Sequence, residues 1–256
     1  MSIHHGDIDA IVVSHSPLGR WEPRAKLLGV CPLIAVQACL TTAPAAAVAL
    51  GLSIAVLVTA RLPIGFALRQ MTGFGLFVLP FVVLLPVLGS GPVIARPAGV
   101  PLHAAGLCAA LTIAMRATGI FALTLVLLHS APFSDTLWAA QSLGLPRPLV
   151  QIALLARRYV PILSAEHKAT TTAARCRGFR PAPDAHTYRT TANVAAAILV
   201  RGHRRAERVW QAMACRGFAG RLYPIRQWRV TASDAAATAA AWAVSAGLLA
   251  GDLWLG

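Results

Sequence analysis

Acidic side chains are the scarcest charged group in this chain of 256 residues: nine Asp and Glu stand against 23 Lys and Arg. Charged residues of both signs reach only 12%, about half the share of an ordinary soluble domain. Hydrophobic residues reach 57% and the mean hydropathy is +0.64. A water-soluble globule of this size has too little polar surface to cover so much apolar area, and a polytopic membrane protein is implied. Cysteine is sparse as well. Cys31, Cys39, Cys108, Cys176 and Cys215 form an odd set without a Cys-x-x-Cys spacing, which supports neither a disulfide framework nor a zinc knuckle. His4-His5 lies on a polar tail with no carboxylate–His–Cys cluster after it, so no metal site is expected. Nothing places a Ser–His pair on one face with an orienting acid, so no catalytic residue is assigned. No cofactor is expected either.

What is present is a series of apolar runs and one basic block. The first 26 residues are polar, with Arg20, Glu22, Arg24 and Lys26 among them, and no cleavable signal peptide is expected. Trp21 suits the interface, and Arg24 and Lys26 suit headgroups. Residues 27–62 hold two short helices broken near Thr41-Thr42-Ala43-Pro44, or one tilted helix and a re-entrant piece. Arg61 and Arg69 bracket a short loop, and Met71 to Leu88 forms the next run, with kinks expected at Pro80 and Pro86. A Gly/Pro-rich loop carrying Arg96 leads to His103–Leu128, where Arg116 lies in mid-span. The last run is Val230–Leu255, with Asp234 and Asp252 at its flanks and expected at the interface.

Charge bias in the short loops places the N-terminus in the cytoplasm, and four spans return the chain there. The expected fold is therefore all-α, with about five transmembrane helices and a cytoplasmic helical domain between the fourth and fifth. In residue ranges, 1–26 is a cytoplasmic segment, 27–129 holds helices one to four, 130–229 is the cytoplasmic domain and 230–256 is helix five. A multi-pass protein of the cell inner membrane follows.

From Arg147 to Arg229 there are sixteen bases and three acids, Glu166, Asp184 and Glu207, so this stretch carries +13 of a net +14. Ser134 is read as the N-cap of a helix ending at Gly144. Two long helices follow, over Leu149–Cys176 and about Tyr188–Cys215, each stopped by a glycine that permits a left-handed C-cap. Ala173-Ala174-Arg175-Cys176-Arg177-Gly178-Phe179 is echoed 39 positions later by Ala212-Met213-Ala214-Cys215-Arg216-Gly217-Phe218. One docking element is used twice. Arg201, Arg204, Arg205 and Arg208 form a basic face suited to anionic membrane lipid. No aromatic residues interleave with it, so no nucleic-acid partner is expected.

These motifs resemble the coupling helices of the transmembrane T component of energy-coupling factor (ECF) transporters. Ser16-Pro17-Leu18 with Pro23-Arg24-Ala25-Lys26-Leu27-Leu28, Arg158-Tyr159-Val160-Pro161-Ile162-Leu163 with Glu166, and Glu207-Arg208-Val209 with Ala212-Met213 extend the likeness over nearly the whole chain. Arg-Gly-Phe-Arg-Pro and Arg-Gly-Phe-Ala-Gly-Arg are most similar to the cobalt-transport CbiQ branch. Cys176 and Cys215 depart from the family's usual alanine, and a small, mildly hydrophobic thiol preserves the packing. The resemblance implies a non-catalytic subunit linking two ATP-binding cassette ATPases to a small substrate-capturing membrane protein for cobalt uptake. It implies that Cys176-Arg177-Gly178 and Cys215-Arg216-Gly217 each enter one ATPase, with Phe179, Phe218 and Glu166 in support. Nickel, a vitamin, or a membrane transferase with a lipid-phosphate-binding loop are the alternatives. Arg116 is left with two readings, a contact with the capturing subunit or a backbone carbonyl partner.

Overall fold

The computed structural model describes residues 21–60, 63–89, 92–95, 102–224 and 231–255. The N-terminal motif Ser16-Pro17-Leu18 and Arg20, Arg61, Arg96, Arg226 and Arg229 lie outside the described residues. The described residues divide into two compact units, one within 1–144 and 227–256, the other within 145–226.

The first unit is a bundle of apolar helices. Helix α1 spans Pro23–Cys39 and α2 spans Ala43–Thr59, both opened by a proline in the first turn, where a missing N–H costs nothing. The break between them falls at residues 40–42, beside the expected Thr41-Thr42-Ala43-Pro44. Helix α3, Ile64–Leu88, continues through Pro80 and Pro86. Arg69 therefore belongs to a helix rather than to a loop, because nothing after Pro63 stops helix propagation before it. The Gly/Pro-rich connection contains a short antiparallel ribbon, β1 (Val93–Ala95) paired with β2 (Leu102–His103) in the register Val93 opposite His103. Helix α4, Ala104–His129, packs between α2 and α3, and α1 packs against both α4 and α8, Ala232–Leu255.

Helix α5, Phe133–Ser142, starts one residue before the expected Ser134 cap, with Pro132 at the N-cap position. The Ser134 hydroxyl faces Asp135 instead. Although the sequence groups this helix with the basic block, it packs on α1 within the apolar unit.

Val30, Leu33 and Leu123 form the centre of the bundle, covered by Leu52, Val56, Val244 and Leu248. The tightest backbone approach joins α3 and α4 at Gly106, where a Cβ would lie 2.9 Å from the Pro86 Cα and on the Leu85 carbonyl. Outward-facing Leu76 and Phe77 of α3 are 73% and 67% exposed, as a lipid-contacting face requires. Helices within Gly65–Leu88, Ala104–His129 and Ala232–Trp254 are long and apolar enough to cross a membrane. The chain is thus a largely helical, polytopic membrane protein. Helices α1 and α2 have 17 residues each, slightly short of the ~20 that a full span takes.

The second unit is built on helix α6, Arg147–Cys176, and helix α7, Ala185–Cys215. Asp184 caps α7 by accepting from the Thr187 amide at 2.8 Å. Hydrogen bonds from the Thr187 hydroxyl and amide hold this exposed carboxyl below the usual carboxylate range.

Candidate functional site

The duplicated phrase ends α6 and α7 in the same way. In the first copy Gly178 has φ +87°, its N–H donates to the Arg175 carbonyl at 3.0 Å, and the Phe179 N–H donates to the Ala174 carbonyl at 3.1 Å. In the second Gly217 has φ +76°, its N–H donates to the Ala214 carbonyl at 3.0 Å, and the Phe218 N–H donates to the Met213 carbonyl at 3.0 Å. Both are Schellman caps, with glycine at C′ and phenylalanine at C″. Arginine occupies the C-cap position in each, with φ and ψ of −87° and 14° at Arg177 and −92° and 13° at Arg216.

A helix C-terminus carries partial negative charge, so a guanidinium fits there electrostatically. Both arginines are exposed, as are Cys176 and Cys215, whereas Phe179 and Phe218 are half-buried. Phe218 packs edge-on against Trp210 with ring centroids 6.0 Å apart, and Phe179 meets His186 at 6.4 Å. Each phenylalanine fastens the turn to α7, leaving the neighbouring arginine outermost.

Space beside the caps is open, since no atom lies within 4 Å of where a Cβ on Gly178 or Gly217 would stand. Only the positive φ makes glycine necessary. Gly178→Val and Gly217→Val should each cost about 1–2 kcal/mol locally and fray the last helical turn. Amide hydrogen exchange at positions 178, 179, 217 and 218 checks this, and wild-type protection in both variants refutes it.

Helices α6 and α7 run back antiparallel, with Gln151 Nε2 donating to the Gly220 carbonyl at 3.0 Å near one end and Phe179 beside His186 at the other. They touch mid-length, where Leu163 faces Gly202 and Arg205 donates to Glu166 at 3.1 Å. The structure thus separates Glu166 from both helix ends and makes it an interhelix tie. A cleft of about 720 Å³ on one side of this contact is lined by Arg177, Gly178, Phe179, His186 and Arg201. One of about 380 Å³ on the other side is lined by Leu155, Tyr159, Leu163, Val209, Trp210 and Met213. Along the 31 residues of α7 the two arginines stand roughly 45 Å apart.

The bundle holds polar groups whose partners only the fold reveals. Arg116 donates to the Ala38 carbonyl, a backbone partner of the kind a mid-span guanidinium needs. Ala38 lies in the last turn of α1, where carbonyls lack intrahelical partners. On the other side of the same break, Asp252 accepts from the Thr41 and Thr42 amides at 2.9 Å each and from both hydroxyls at 3.1 and 2.6 Å. Asp252 is only 8% exposed and braces the Thr41–Thr42 turn that leads into α2. Lys26 departs from its expected headgroup position. It is buried and donates to Ser130 Oγ at 2.9 Å, since Ser130 closes α4 and the apolar bundle otherwise leaves the ammonium without an acceptor. Gln37, equally buried, accepts from Ser53 at 3.2 Å.

The sequence pattern of the family described as CbiQ, cobalt transport protein, matches residues 14–225. That range takes in both caps and the packed helices before them. A cobalt transport protein CbiQ of Rhodobacter capsulatus is 33% identical over 164 residues, a stretch spanning 64% of this chain and 64% of that relative. With an apolar helical bundle, two copies of one arginine-bearing cap and a family match over most of its length, the chain belongs to the CbiQ family of cobalt transport proteins.

Proposed function

We propose that this chain is the non-catalytic coupling subunit of an ATP-driven ECF-type transporter for cobalt ion. It links two ATP-binding cassette ATPases to a small substrate-capturing membrane protein in the cell inner membrane. The duplicated cap is the observation that carries this reading: two outward arginines in matching backbone geometry, about 45 Å apart, suit two copies of one partner. Arginine presents five donors in a rigid fork and stays charged, so it can grip an acidic or carbonyl-lined groove. Closure of the ATPase pair on ATP would then pull on both ends of α6 and α7 and pass motion to the bundle. The cobalt assignment is supported by the family description and by the name of the relative.

The test combines co-purification with uptake. The full-length chain should recover two ATPases per copy from detergent extracts, and cells carrying the complete system should accumulate labelled cobalt only when this chain is present. Recovery of no ATPase removes the coupling role. Accumulation of nickel in preference to cobalt changes the ion.

A further inference from the structure

At the polar end of the bundle, Glu22 precedes α1 with its side chain 1% exposed, yet among the described residues neither carboxylate oxygen has a hydrogen-bond partner. Among the described residues the cationic atom beside it is Arg24 Nε at 3.8 Å, on a guanidinium that is 49% exposed. A carboxylate withdrawn from water requires donors. Glu22 lines a cleft of about 680 Å³ between α1, α5 and α8, together with Arg24, Leu28, Leu143, Ala239 and Trp242. The Trp242 indole donates to the Leu28 carbonyl at 2.9 Å, so its ring is a fixed apolar wall.

We propose that this cleft is a phospholipid site selective for a primary-amine headgroup, namely phosphatidylethanolamine. Glu22 accepts N–H bonds from the ammonium, Arg24 holds the phosphate, and Leu28, Leu143 and Trp242 cover the glyceryl and first acyl carbons. The pair of charges matches the headgroup: a buried anion for the amine, and a half-exposed cation beside it for the phosphate. A quaternary choline has no N–H to give, and phosphatidylglycerol has no cation. This assignment goes beyond the coupling role and does not depend on it.

Native mass spectrometry on the full-length chain in detergent, titrated separately with dioleoyl phosphatidylethanolamine, phosphatidylcholine and phosphatidylglycerol, tests it. Phosphatidylethanolamine should bind at least about tenfold more tightly than phosphatidylcholine, as charged hydrogen bonds gained or lost imply. Glu22→Gln should bring it to the phosphatidylcholine level, and Arg24→Gln should weaken all three lipids. Ala239→Leu narrows the cleft from an exposed position while keeping the carboxylate, and it should also remove the preference if Glu22→Gln fails to fold. Equal binding of the ethanolamine and choline lipids overturns the proposal, as does a preference that survives Glu22→Gln or Ala239→Leu. Tightest binding of phosphatidylglycerol reduces the cleft to a basic patch. Shielding of a Leu143→Cys label by bound ATPases, and not by phosphatidylethanolamine, makes it a protein interface.

Discussion

The double variant Arg177→Glu with Arg216→Glu is expected to lose essentially all ATPase in co-purification and all cobalt uptake, while the protein inserts and folds normally. Folding should be spared because both side chains are exposed. The bonds that end the helices are made by backbone groups. Docking should not be spared. Removing one partner of a buried charge pair costs about 3–5 kcal/mol, and reversal costs more. A loss of that size at each end exceeds a hundredfold in affinity.

If each ATPase is gripped by one arginine, a single variant should keep partial association. Its transport should fall further than its association, since transmitted motion needs both ends held. Lysine at either position should give an intermediate result, because a point charge replaces a two-pronged fork. Full recovery of the ATPases by the double variant would show that coupling runs elsewhere.

Asp252→Ala should lower the melting temperature of the bundle markedly, because one change removes the acceptor of four donors at once. The carboxylate accepts from two amides and two hydroxyls of Thr41 and Thr42. Its removal strands the Thr41 and Thr42 donors in a turn where Asp252 is buried, and a buried donor without an acceptor is costly. Asp234→Ala is the matched control. Asp234, in the first turn of α8, reaches back to accept from the Thr231 amide at 3.0 Å, a capping-box contact whose loss costs about 1 kcal/mol. Thermal unfolding of both variants in the same detergent compares the two. Equal melting temperatures would mean that the Thr41–Thr42 turn finds other acceptors and that Asp252 is not its brace.

The same break shows where reading the chain as a string succeeds. Pro44 and the two threonines mark the end of one helix and the start of another from composition alone. The caps after Cys176 and Cys215 are equally local, since a helical run, a glycine and a phenylalanine lie within seven residues of one another. Backbone sterics at positive φ act on those residues whatever surrounds them. The duplicated arginines were legible for that reason, and so were their exposed positions at helix ends.

Other assignments depend on residues far apart in the chain. Lys26 and Ser130 are 104 positions apart, Arg116 and Ala38 are 78 apart, and Asp252 and Thr41 are 211 apart. Any of these side chains has many acceptors or donors of identical chemistry along the sequence, and only packing selects one. Glu166 is a supporting residue by its resemblance to the family's stretch ahead of the first motif, and only folding α7 back against α6 shows that Arg205 is its partner. By itself, then, the sequence determined membrane class, helix ends and the duplicated arginine tips, because hydropathy and capping act over a few residues. Only the tertiary structure decided which charges are buried and which partner each one meets or lacks, because packing alone brings donors and acceptors from distant parts of the chain together.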